Sequence, residues 1–292
     1  MMSTSQSVRT FVLACAAAAL PFFPAGAADP ARIVFQNGRS VPVTAVAVLG
    51  ENLVIQQAAD GFNAGQTFPL ASADHIFGDK PEEINPAIAL LLTGKPAEAS
   101  KLLEPVLTAH RATARIPGNY WLEAARAALV AYAVSDNTTR VNELGKEISD
   151  ATPAQGIDPF VTLGKALMLP ATTKLQDRET ALRDLTTDNL PAEVCAYASL
   201  YRASLLKGEK RNADAALAQK QDLDTLEAYL MVPCLFPSGG MILNAVAEFN
   251  ASEILASIGR REEAVALLTS AIRQSTGTSV AADANKRLES LK

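Results

Sequence analysis

Ser72, Asp74 and His75 lie close together in the chain and carry the side-chain types of a hydrolytic triad. In that chemistry a base takes the proton of a hydroxyl nucleophile while a carboxylate orients the base. The groups must converge in space. Neighbouring residues of a strand point to opposite faces, so Asp74 is not expected to orient His75, and the three read as solvated turn residues. Two acid pairs, Glu82-Glu83 and Glu262-Glu263, could suggest general acid–base work. Both fall at expected helix starts, where acids complement the helix dipole. His110 follows an apolar helix end and reads as a C-terminal dipole partner. No glycine-rich phosphate loop, H-E-x-x-H, G-x-S-x-G or C-x-x-C occurs. Two histidines and three cysteines leave little for a His/Cys metal site. No catalytic residue, metal ligand or cofactor is therefore expected. The candidate partner-binding residues are Tyr120 and Trp121, in the distinctive run Asn119-Tyr120-Trp121, with Tyr201 and Arg202 beside them as groove residues. Trp, Tyr and Arg are favoured interface anchors, although aromatics at a helix start also serve as packing residues.

The elements that position these residues follow from composition and pattern. The chain has 292 residues, 49% hydrophobic and 5% aromatic, with a net charge of −5. That content is too apolar for a disordered chain, and the acidic balance argues against a nucleic-acid binder.

The N-terminus reads as a secretory signal peptide over residues 1–27. Arg9 supplies positive charge, Phe11 to Leu20 is apolar, and Ala25-Gly26-Ala27 offers small residues for cleavage after Ala27. Pro21, Pro24 and Gly26 leave the run short of the ~20 apolar residues of a membrane span. A minor alternative is lipidation at Cys15, which has only four apolar residues before it. Cleavage removes Arg9 and no acid, leaving 265 residues and a net charge of −6. The mature chain is expected to be periplasmic or secreted, with no membrane span.

Residues 28–80 read as a small β module. Arg32 to Gln36 is a strand, and Asn37-Gly38 is a hairpin signal because both residues accept positive φ. Val41, Val43, Ala45 and Ala47 alternate along the next strand, with Pro42 marking an edge or a start. Leu53-Val54-Ile55, Thr67 to Leu70 and Ile76-Phe77 complete four or five short strands. The order of the turn, the alternating strand, the Asp60-Gly61 loop and the closing Asp74-His75-Ile76 resembles small SH3-like modules of bacterial envelope proteins. The resemblance implies contacts rather than chemistry.

From residue 81 to 292 the pattern is helical, in five hairpins and a terminal cap. Ala99, Leu102, Leu103 and Val106 form one apolar stripe after the Gly94-Lys95-Pro96 turn. The same pattern returns after Gly259, where Ala264, Leu267 and Leu268 match Ala99, Leu102 and Leu103. Asn85-Pro86 and Asp158-Pro159 read as N-cap and first-turn pairs. Tyr120 to Val134 is a long alanine-rich helix, with Val141, Leu144 and Ile148 lining its partner. Another hairpin pairs a helix from Asp158 with one near Glu179 to Leu185. Pro191 opens a helix through Leu206, whose partner spans Asn212 to Leu235 with a possible break at Gln219 to Asp222. Val280, Ala284 and Leu288 line the cap. The shared glycine turn and the small-then-large spacing resemble degenerate tetratricopeptide repeats of about 34 residues. That resemblance implies an α-solenoid whose concave groove binds a peptide or partner protein, as a scaffold or adaptor. A structural subunit of an envelope assembly and a carboxylate enzyme are the alternatives. An apolar patch would mark the first, and a deep pocket with converging acids of raised pKa the second.

In this hairpin arrangement Cys195, near the start of one helix, and Cys234, near the end of the next, could be bridged. The disulfide would close a loop of roughly forty residues. Two buried free thiols are the alternative.

Overall fold

A computed structural model describes residues 31–152, 156–209 and 212–291. The signal peptide expected over residues 1–27, with Cys15 and the cleavage position at Ala27, lies outside them.

Among the described residues six strands precede the helices: β1 Arg32–Phe35, β2 Ser40–Pro42, β3 Val46–Leu49, β4 Asn52–Ile55, β5 Thr67–Pro69 and β6 Ala73–Phe77. They form two antiparallel three-stranded sheets, ordered β2-β1-β6 and β3-β4-β5. The expected Val41–Val48 strand is split. Pro42 has no N–H for a ladder, and Val43–Ala45 forms a 3-10 turn that carries the chain from one sheet to the other. At the first hairpin only Gly38 adopts positive φ; Asn37 does not. Ile33, Phe35, Val41, Leu53, Ile55 and Phe62 fill the core between the sheets.

Eleven α-helices follow among the described residues. The odd-numbered ones up to nine are α1 Ile84–Leu92, α3 Tyr120–Val134, α5 Pro159–Leu167, α7 Ala192–Gly208 and α9 Met241–Ser257. Their partners are α2 Pro96–His110, α4 Thr138–Ala151, α6 Leu175–Arg183, α8 Ala215–Leu235 and α10 Arg261–Gln274, and α11 Ser279–Ser290 ends the chain. These are the five hairpins and terminal helix that the sequence predicts, with local differences. Asn85 lies inside α1 rather than capping it, because Glu83 occupies the N-cap position. α6 ends at Arg183, two residues before Leu185. α8 runs unbroken through Gln219–Asp222, and Asp214 caps its start by accepting the Ala216 and Leu217 N–H groups.

The turn geometry explains the internal match. Gly94 and Gly259 have φ of +83° and +84°. The following N–H groups, of Lys95 and Arg260, reach back to the Leu90 and Leu255 carbonyls at 2.9 and 2.8 Å. This left-handed helix ending favours glycine. The residues five and nine positions on, Ala99 and Leu103 or Ala264 and Leu268, are fully buried. Asp136, with φ of +56°, makes the same ending at α3 and places Val141 and Leu144 inside.

The odd-numbered helices form an inner layer that returns on itself. α1 packs on α3, α3 on α5, α5 on α7, α7 on α9, and α9 back on α1. The even-numbered helices lie outside, each against its hairpin partner, and α11 covers α10 while touching α1 and α9. The two layers differ in sequence for this reason. α4 buries one stripe, Val141, Leu144 and Ile148, whereas α3 buries Ala124, Ala125 and every residue from Ala127 to Ala133. A helix apolar on all sides belongs inside. The first helices of the hairpins, expected to line a groove, spend their faces on one another.

The β module is fastened to the loop between α2 and α3. Ile116 inserts into the core between the sheets. The Ile76 N–H donates to the Pro117 carbonyl at 2.8 Å, and Arg115 holds Glu51 with two bonds of 2.7 and 3.0 Å. Gly118 has φ of +76°, and a Cβ there would stand 2.7 Å from the Ile76 oxygen, so only glycine fits.

Candidate functional site

Asp74 and His75 do meet. The Asp74 Oδ2 lies 2.9 Å from the His75 Nδ1, contrary to the alternation expected of a strand. A β-bulge is the cause: Val34 pairs with His75 and Phe35 with Ala73, so Asp74 is an extra residue in β6. The Ser72 hydroxyl, however, donates to the Pro69 carbonyl at 2.6 Å. The three groups therefore make an exposed hydrogen-bonded pair and a capped turn.

The aromatic candidates divide. Trp121 is only 2% exposed and belongs to the helical core, so it offers a partner no surface. Tyr120 is half-buried and donates its hydroxyl to the Gly78 carbonyl at 2.8 Å, tying α3 to the end of β6. Arg202 is committed to Glu179 at 2.9 Å. Tyr201 lines a cavity at the C-terminal ends of α3, α5 and α7, and its phenol oxygen has no hydrogen-bond partner among the described residues.

Cys195 and Cys234 are both free. Cys195 is buried, with its Sγ toward the Thr187 and Leu190 carbonyls at 3.6 and 3.8 Å, on the side of α7 facing the α6–α7 loop. Cys234 is exposed on the outer face of α8. Of the two alternatives left open, a bridge or two buried free thiols, the bridge is not made, and only one of the free thiols is buried.

His110 ends α2 as expected, but burial pushes its pKa down, which favours the neutral ring over a cationic dipole partner. Glu262 and Glu263 occupy the first turn of α10, and Glu263 pairs with Arg260 at 2.7 Å.

A charged cluster that sequence reasoning did not single out joins the N-terminal ends of α3, α5 and α7. Arg126 of α3 reaches the fully buried Asp158 at 2.6 Å and Glu193 of α7 at 3.5 Å. Asp158 also caps α5 by accepting the Phe160 N–H at 2.9 Å. Lys80 pairs with Glu123 beside them. Desolvation lifts the Glu193 carboxyl to about 7, overcoming the favourable Arg126 charge, and Glu123 and Asp158 push the same way. The folded state thus holds this proton more tightly than the unfolded chain. Its stabilising contribution is complete below the ordinary carboxylate pKa and is lost as pH rises through about 7. Glu193→Gln should flatten the fall of melting temperature between about pH 4.5 and 7, as scanning calorimetry across that range would show. An unchanged slope would assign the dependence to another group.

Glu248, the other carboxylate raised by burial, sits apart on α9 and accepts from Ser270 and Gln274 at 3.0 and 2.9 Å. Neither acid lines a described cavity. Among the described residues no group of three or more His, Cys, Asp or Glu could hold a metal ion.

The outer face of α8 carries an apolar surface. Leu223 and Leu235 are 46% and 63% exposed. With Leu226, Leu230, Met231 and Cys234 they line a shallow, largely apolar depression around Glu227. Leu217, near the start of α8, and Met241, at the start of α9, are also exposed. The signal was present in the sequence. One amphipathic stripe needs apolar residues every three or four positions, and α8 carries a second set after Ala218, Leu226, Tyr229 and Val232 have been buried. Among the described residues no helix is long and apolar enough to cross a membrane. No family model, curated protein or solved structure matches this chain.

Proposed function

We propose that this chain is an exported, non-catalytic interaction protein that joins a larger envelope assembly through the outer face of α8. The observation that carries the reading is the row of exposed leucines on a helix whose opposite face is already packed against α7 and α9. A contiguous exposed apolar surface on a water-soluble fold is characteristic of a docking site. Glu227 stands exposed within it, so the matching segment is apolar with a lysine or arginine opposite that carboxylate. The apolar leader and small-residue cleavage pattern support export. We further read the hairpins as degenerate tetratricopeptide-like units and the β module as SH3-like. The repeated glycine ending and the two small sheets support that kinship. In this reading the partner meets an outer helix, because the inner faces are occupied.

The test is recovery of bound protein from the native envelope fraction with wild type and with Leu223→Glu/Leu235→Glu. Both substituted side chains are exposed, so the variant should retain the wild-type circular dichroism and melting point. The expected result is a reproducible partner retained by wild type and lost by the variant. Equal recovery by both would move the interface elsewhere, and a consistent absence of partners would overturn the reading.

A further inference from the structure

Around a cavity of about 440 Å³, where the C-terminal ends of α3, α5 and α7 converge, three charged side chains stand without ion-pair partners among the described residues. Arg178 projects from α6 and is half-buried. Asp136 sits in the turn after α3, and Glu209 directly follows α7. Leu167, Leu182 and Leu205 supply an apolar wall. Half-buried arginines elsewhere on these helices are paired, Arg126 with Asp158 at 2.6 Å and Arg202 with Glu179 at 2.9 Å. Arg178 is the exception, and it is the one beside a cavity.

The signs of these charges define the ligand. A simple carboxylate would meet Arg178 but also two acids and the negative ends of three helix dipoles. A simple amine would meet the acids but also Arg178. A molecule carrying both charges on one small centre, with an apolar appendage, engages all three groups and the wall together. The volume lies within the ordinary range for a small-molecule site. We propose that this cavity binds a free α-amino acid with an apolar side chain, its carboxylate on Arg178, its ammonium toward Asp136 and Glu209, and its side chain against the leucines.

Isothermal titration of the purified protein with L-leucine and L-phenylalanine tests this, beside 4-methylpentanoate and isoamylamine as single-charge analogues. Saturable binding of an amino acid is expected, with both analogues at least about tenfold weaker. Arg178→Gln should weaken amino-acid binding by roughly tenfold to a hundredfold, the usual loss of a charge-assisted hydrogen bond. The Asp136→Asn/Glu209→Gln pair should weaken it in the same direction. Leu223→Glu/Leu235→Glu should bind the amino acid as wild type does, which keeps this site separate from α8. The proposal is overturned if neither amino acid binds at millimolar concentration. It is also overturned if the amine or the acid alone binds as well, or if a correctly folded Arg178→Gln variant binds unchanged.

Discussion

Replacing Asp158 with alanine is expected to lower stability by about 3–5 kcal/mol, the range for breaking a buried ion pair from one side. Asp158 is fully buried and accepts from two nitrogens of Arg126, at 2.6 and 3.2 Å, and from the first free N–H of α5. Alanine removes the counter-charge and the cap together. It leaves Arg126 facing only Glu193 at 3.5 Å, in a site where 14% of the arginine side chain reaches solvent. Because this cluster joins α3, α5 and α7, the loss should appear in the cooperative transition and not as local fraying. Chemical denaturation provides the measurement. Asp158→Asn keeps an acceptor for the Phe160 N–H and should fall between wild type and alanine. A second consequence follows from the charges. Asp158 helps raise the Glu193 pKa, so the alanine variant should move the Glu193-dependent part of the stability–pH curve to lower pH. A loss under about 1 kcal/mol would mean that the pair contributes no more than a surface salt bridge.

Trp121→Ala is the second large effect, again about 3–5 kcal/mol, the usual cost of emptying a buried aromatic site. Trp121 is 2% exposed in a core that includes the alanines of α3 and residues of α1 and α2. Its removal leaves a cavity between helices that already sit close. The neighbouring Tyr120→Phe loses only the bond to Gly78 and should cost about 0.5–1.5 kcal/mol. The contrast decides the role of the aromatic pair. A core residue lowers stability in the isolated protein, whereas an interface anchor would leave stability alone and weaken only binding. Trp121 is the single tryptophan of the chain, so native fluorescence reports this site directly. Denaturant-induced red shift of its emission should coincide with loss of helical circular dichroism if it belongs to the common core.

Much of the local structure was legible because it depends on neighbours in the chain. Asp158-Pro159 announced a capped helix, and the glycine turns at 94 and 259 announced helix endings of one geometry. Val141, Leu144 and Ile148 announced the buried stripe of α4. The expected bounds of α3 agree with the structure because Asn119 caps its start and the turn at Asp136 ends it. The failures were local rules overridden by pairing. Pro42 could not join a continuous strand, and the bulge at Asp74 removed the alternation on which the argument about His75 rested. At α8, a polar run looked like a break because its buried neighbours, Ala218 and Thr225, are modest in size.

The candidate sites were less legible. Tyr201 was marked as a groove residue and does line a cavity, but Arg178, Asp136 and Glu209 come from separate elements, with nothing in their spacing to unite them. The leucines of α8 were visible as apolar residues, yet apolar content does not say which face is already covered. Cys195 and Cys234 show the same limit: chain order allowed a bridge, and only the tertiary structure buries one thiol and exposes the other.

By itself, the sequence determined a set of short strands followed by five helix hairpins and a terminal helix, because caps, turns and periodicity act over a few residues. The tertiary structure decided that the inner helices close on one another, with α1 meeting α9. That contact joins elements more than a hundred residues apart in the chain, which no local pattern encodes. Closure turns the inner helices toward one another, and it is the tertiary structure that leaves Leu223 and Leu235 of α8 exposed and sets Arg178 beside a cavity.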